Sequence, residues 1–172
     1  TSTYQTTPYL ARTACEDVAA SLHTSYALYT TGQIYAWGRN ASGECGDGTQ
    51  TSPVTNTIAV IGASSACKLP QDLNYYACSS IHADGSVKSW GYNYLSMLNV
   101  GTSDSYMLTA TKQIAYWPVE ELVKIEGGFS HLRARKSDGT VWSWGKNSDG
   151  EIGIGSLGAN ELLPLQSQNG TL

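Results

Sequence analysis

The sequence predicts an all-β repeat protein, one supersecondary unit used three times, and three observations predict it. Trp-Gly-x-Asn recurs as Trp37-Gly38-Arg39-Asn40, Trp90-Gly91-Tyr92-Asn93 and Trp144-Gly145-Lys146-Asn147, 53 and then 54 residues apart. A fixed period of that length marks a repeat architecture. Each Trp-Gly follows a turn dipeptide (Thr31-Gly32, Asp84-Gly85 or Asp138-Gly139) at the same short distance. The residues between turn and Trp alternate, as in Thr140-Val141-Trp142-Ser143, which is how a strand leaves a hairpin.

Within the first unit, His23-Thr24-Ser25-Tyr26-Ala27-Leu28-Tyr29 reads as the strand before the turn. After each Trp, Gly permits a sharp departure from the strand, and Asn is placed to fold onto nearby backbone as an Asx turn. Glycines then stand at matched offsets, Gly43, Gly46 and Gly48 in one unit and Gly150, Gly153 and Gly155 in another. Such positions suggest positive φ or close backbone contact. Cys45 and Ile152, between them, are expected to point into a core. A Pro comes later in each unit (Pro53, Pro118, Pro164), with Pro8 in the corresponding place ahead of the first. The chain divides into unit one at about 8–52, unit two at about 53–117, unit three at about 118–163 and a tail at 164–172, all in one repeat domain.

The third unit states the pattern most fully, His131 to Gly139 followed by Trp144 to Gly155. This pattern resembles the regulator of chromosome condensation repeat, and the resemblance covers nearly the whole chain. It implies propeller-type blades, and therefore a partial β-propeller of three. Propellers typically close with roughly four to eight blades. Three leave two open flanks, which are aggregation hazards unless covered. A homo-oligomer is expected, two copies closing a ring by two-fold symmetry, with a heterologous protein partner or a longer parent of which this chain is a fragment as the alternatives.

Composition excludes several classes. Charged residues are 14% of the chain and the formal net charge is −4, which offers no basic face for nucleic acid. The resemblance therefore carries the fold and not a chromatin role. No run of apolar residues is long enough to span a membrane. Metal-ligand spacings and paired acid/base groups are missing from the sequence, so no enzyme, metal or cofactor is expected. His23 and His131 fall near the repeat's own His position and are expected to bond backbone. Four cysteines, Cys15, Cys45, Cys67 and Cys78, with low charge and many Tyr, Ser and Thr, favour an extracellular or cell-surface protein. Cys45 reads as a buried thiol, and Cys67 with Cys78 is one candidate bridge.

Function is expected where the repetition breaks. In the middle unit Ser96 and Asn99 replace glycines, and Val54–Asp72 and Ser103–Trp117 read as inserted loops. Tyr92 and Tyr94 replace the polar pairs Arg39/Lys146 and Ala41/Ser148, and Tyr106, Tyr116 and Trp117 follow. Tyr and Trp give large contact area at low entropic cost, so these five are the candidate partner-binding residues. Arg133 and Arg135 stand where unit one has Tyr26 and Leu28, on one strand face, and point to an interface or a channel. Buried, they would need Glu120, Glu121 or Glu126 as partners. Trp37, Trp90 and Trp144 are structural. The function these residues suggest is a non-enzymatic adhesion or interaction module recognising a protein or glycan surface. The alternative is a structural subunit of a larger extracellular assembly or filament built through blade flanks.

Overall fold

The computed structural model describes residues 14–70, 76–94, 97–100, 102, 104–113 and 122–167. They form three four-stranded antiparallel sheets, each a meander of sequential neighbours. The first holds β1 (Cys15–Ala20), β2 (Thr24–Tyr29), β3 (Ile34–Gly38) and β4 (Val54–Ala59). The second holds β5 (Ala66–Lys68), β6 (Ala77–His82), β7 (Val87–Tyr92) and β8 (Tyr106–Lys112). The third holds β9 (Leu122–Gly127), β10 (His131–Lys136), β11 (Val141–Gly145) and β12 (Glu161–Gln166). No α-helix occurs among the described residues. The chain is all-β, three blades of a partial propeller.

Blade and sequence unit run out of phase. The first sheet extends through β4 into residues assigned from sequence to unit two, and β12 reaches into the tail. The two segments read as inserted loops also contain strand: Val54–Asp72 holds β4 and β5, and Ser103–Trp117 holds β8. Their weak alternation hid them, because β4 buries no residue fully and β8 buries only Met107.

The central hairpins share one register. They close at Leu28↔Ile34, Ile81↔Val87 and Arg135↔Val141, and end at Thr24↔Gly38, Ala77↔Gly91 and His131↔Gly145. Asp84 and Asp138 brace their turns by accepting from the backbone N–H and hydroxyl of Ser86 and Thr140. The Gly after each Trp has φ of 114°, 97° and 105°, at a register shift against the fourth strand. A Cβ there would come within 2.4, 2.4 and 2.6 Å of the carbonyl oxygens of His23, Tyr76 and Ser130. Only Gly fits. At the ninth position after Trp, Gly46 and Gly153 have positive φ, and Asn99 takes φ 53° in the same place.

The repeated Asn acts over a longer span than an Asx turn. Asn40, Asn93 and Asn147 accept the backbone N–H of Cys45, Leu98 and Ile152, five residues ahead, while their amides donate to carbonyls further on. All three are buried, so each loop is pinned by a satisfied polar group.

The blades meet through their Trp residues. Trp90 and Trp144 are fully buried. The Trp90 indole donates to the Glu44 carbonyl and the Trp144 indole to the Met97 carbonyl, each at 2.9 Å. Both acceptors lie seven residues after the preceding blade's Trp. Tyr26, Leu28 and Ile34 pack with Cys78, Trp90 and Leu98 at the first junction. Ile81 and Val87 pack with Ile125, Leu132 and Trp144 at the second. Trp37 is only half-buried, and its indole makes no hydrogen bond among the described residues.

The cysteines are thiols where described. Cys45 and Cys78 are buried and free, so the Cys67–Cys78 bridge is not formed. Burial pushes the Cys45 thiol up to about 12 and raises that of Cys78 as well, leaving both un-ionised at neutral pH.

Candidate functional site

Three residues just after the Trp-Gly bulges occupy equivalent places. The backbone N–H groups of Arg39, Tyr92 and Lys146 donate to the carbonyls of His23, Tyr76 and Ser130, each at 2.9 Å. Those carbonyl residues immediately precede β2, β6 and β10. At the first junction the Arg39 guanidinium lies over the Tyr76 ring, 4.3 Å from its centroid, and also pairs with Glu44. At the second junction Tyr92 replaces Arg39 and the small Ser130 replaces Tyr76. A hollow of about 370 Å³ lies there, lined by Tyr94, Phe129, Ser130, His131, Lys146 and Glu151.

Beside it the middle blade gathers its tyrosines. Tyr92 ends β7 and Tyr106 begins β8 as direct cross-strand partners, with ring centroids 5.4 Å apart. Tyr94 also stacks on Tyr92, at 5.7 Å and 23°. Tyr94 and Tyr106 are 44% and 43% exposed, and Phe129 across the hollow is 68% exposed. Rings of this size left in solvent on one edge have the profile of a contact surface. Tyr92, Tyr94 and Tyr106 thus come together, whereas Tyr116 and Trp117 lie outside the described residues.

The charges at the hollow are balanced internally. Lys146 donates to Asp149 and Glu151, which raises its own pKa and holds the Glu151 carboxyl down at about 2. Burial, then the nearby Arg133 and Lys146 cations, lowers the His131 pKa, so its imidazole is neutral at pH 7. Its ring lies against Gly128, where a Cβ would come within 2.2 Å. The expected bond from the His23 and His131 rings to backbone is not made: His23 is exposed and His131 packs instead. The Ser130 hydroxyl is buried and has no partner among the described residues. Aromatic walls, a neutral imidazole and a compensated ion pair suit an apolar or aromatic side chain, not an ion.

Arg133 and Arg135 lie elsewhere, on the outward face of the third blade. Both are exposed, and Arg133 meets Glu126 at 3.3 Å, with Lys124 on the same carboxylate. With Val141 they line a shallow depression of about 340 Å³. Of the acids expected there, Glu126 is the one found, and Glu120 and Glu121 lie outside the described residues. Phe129, Ser130 and Lys146 were not singled out from sequence. Comparing His23, Tyr76 and Ser130 as one column of the repeat would have exposed the change in size.

No group of three or more His, Cys, Asp and Glu side chains among the described residues could hold a metal. Among the described residues no helix is long and apolar enough to cross a membrane.

Residues 15–44 and 122–151 match one model of the regulator of chromosome condensation (RCC1) repeat, and residues 138–171 match a second. The ultraviolet-B receptor UVR8 of Arabidopsis thaliana is 24% identical over 155 residues, covering 87% of this chain and 33% of the receptor. Human WBSCR16 superimposes with a TM-score of 0.77 at 20% identity over 88% of this chain and 37% of that one. Prp20p of Saccharomyces cerevisiae gives 0.75 at 17% identity over 91% of this chain and 39% of its own. These likenesses show the fold, and the chain spans well under half the length of each of the three.

Proposed function

We propose that this chain, built of regulator of chromosome condensation repeats, is a non-enzymatic protein-binding module whose contact surface is the tyrosine edge of its middle blade. The observation that carries this is the Tyr94–Tyr92–Tyr106 stack bordering the hollow between the second and third blades. A buried, unused hydroxyl and exposed rings together favour a partner that inserts one side chain and lays others across the tyrosines. Protein is favoured over glycan because Lys146, Asp149 and Glu151 already satisfy one another. Few free polar groups remain for a ring of sugar hydroxyls. The yeast neighbour Prp20p has been described with binding properties to Gsp1p and histones, which supports a protein as the partner class here.

The test is selection of peptides from a displayed library against the chain. Selected peptides should lose at least about tenfold in affinity against Tyr92→Ala with Tyr94→Ala, each tenfold being about 1.4 kcal/mol. Undiminished binding would place the contact surface elsewhere. A glycan array that lights up while no peptide is selected would overturn the protein reading.

A further inference from the structure

The two internal junctions show how a blade of this chain receives the next. The incoming Trp donates its indole N–H to the carbonyl seven residues after the previous Trp, at Glu44 for Trp90 and Met97 for Trp144. The rule names one unused donor and one unused acceptor. Trp37 is half-buried with no hydrogen bond, and the carbonyl seven residues after Trp144 is that of Glu151, on which no bond falls among the described residues. Among the described residues, the first blade thus offers a plug and the third a socket.

We propose that a second copy of this chain docks its first blade on the outward face of the third, with the Trp37 indole donating to the Glu151 carbonyl. The side chains fit. At the first junction the Tyr26 ring meets the incoming Trp90 edge-on, centroids 6.0 Å apart. Register places Arg133 at the position of Tyr26, since Tyr26 pairs with Ala36 and Arg133 with Ser143, each just before its Trp. Trp37 of the second copy therefore meets the Arg133 guanidinium, an attraction between a cation and an indole face. The depression of about 340 Å³ beside Arg133 and Arg135 leaves room for the ring.

Apolar and charged groups agree with that placement. Leu165 is opposite Ser143, on the face of Arg133, and is 36% exposed, with Val141 at 38%. Val18 is opposite Ala27, on the face of Tyr35 and away from Tyr26, and is 69% exposed. Among the described residues that line it, the third blade's flank gathers Lys124, Arg133 and Arg135 against Glu126, on a chain of net charge −4. A second copy of an acidic chain is drawn to it. Because plug and socket are different surfaces, two copies make the contact twice and close six blades, within the usual range for a ring.

Sedimentation velocity of the whole chain from about 1 to 200 µM should show a species of twice 18.4 kDa. Trp37→Phe, which keeps the ring and loses the N–H, should weaken that dimer by about tenfold, and Arg133→Glu should abolish it. Trp37→Ala and Arg133→Glu should each run as single copies yet form a dimer when mixed, since one plug and one socket stay intact between them. A chain that stays at single-copy mass throughout, or a mixture that does not recover the dimer, overturns the proposal. Should Trp37→Ala melt without cooperativity, the exposed Arg133→Glu decides alone: an unchanged dimer refutes the contact.

Discussion

The two junctions between blades use one framework and fill it differently. At the first, Tyr26 and Trp90 both donate to the Glu44 carbonyl, and Arg39 closes the edge over Tyr76. At the second, Trp144 reaches its carbonyl just as Trp90 does, but Ser79 stands where Tyr26 would and Ser130 where Tyr76 would. One junction carries these added contacts; the other keeps its hydrogen bond and borders a hollow. The indole bond holds blades together, so the residues around it are free to vary. That freedom is where a binding surface can arise without loss of the fold.

The largest effects test whether the indole bond is the shared strut. Trp90→Ala and Trp144→Ala should each cost about 3–5 kcal/mol in denaturant unfolding, as buried aromatic truncations do. Trp37→Ala, half-buried with no indole acceptor, should cost under about 2 kcal/mol in the single-copy state. Equal losses at all three would break the distinction between used and unused struts.

A pH effect follows from the same comparison one pleat further on. His82 and Lys136 hold equivalent register, but His82 is buried between the hydroxyls of Ser65 and Ser80, while Lys136 lies 5.8 Å from the Trp142 ring. Burial and then Lys88 lower the His82 pKa to about 4. An unfolded His titrates near 6.5, so between about pH 6.5 and 4 the unfolded chain takes a proton that the folded chain refuses. Stability therefore falls as pH drops through that window and is unaffected by this group above it. In His82→Gln the loss of unfolding free energy from pH 7 to pH 4 should shrink by up to about 3 kcal/mol. An unchanged slope would mean that the ring is not held neutral. Tyr26→Phe should cost about 1 kcal/mol, near the usual net worth of one hydrogen bond, because Trp90 still occupies the Glu44 carbonyl.

Much of the fold was legible. Trp, Gly and Asn at fixed spacing announced the repeat because each has a duty no other residue performs: filling the junction, clearing a carbonyl, and pinning the loop. The fourth strands were hidden, since β4, β8 and β12 pair on one side only and carry little alternation. At the site, Tyr92, Tyr94 and Tyr106 stood out as additions. Ser130 did not, because it contributes by being small, and a subtraction leaves no mark in a single copy of the repeat. Arg133 and Arg135 were visible as departures from Tyr26 and Leu28, but which flank they faced needed the sheet register.

The smallest stability effect gives the sharpest comparison. Ser130→Tyr gives the second junction the side chain that the first has in Tyr76, at a position with the same backbone hydrogen bond. The hollow of about 370 Å³ has room for the ring, and the unpartnered Ser130 hydroxyl is removed at the same time. Filling space offsets the entropy of ordering the new ring, so unfolding free energy should move by no more than about 1 kcal/mol. Peptides that bind the parent chain should nevertheless be excluded, though Tyr92, Tyr94 and Tyr106 are untouched. Retained binding at unchanged stability would show that the tyrosine edge alone suffices and that the hollow is only a packing defect. A loss of several kcal/mol would show the reverse, a junction already as tightly determined as its neighbour.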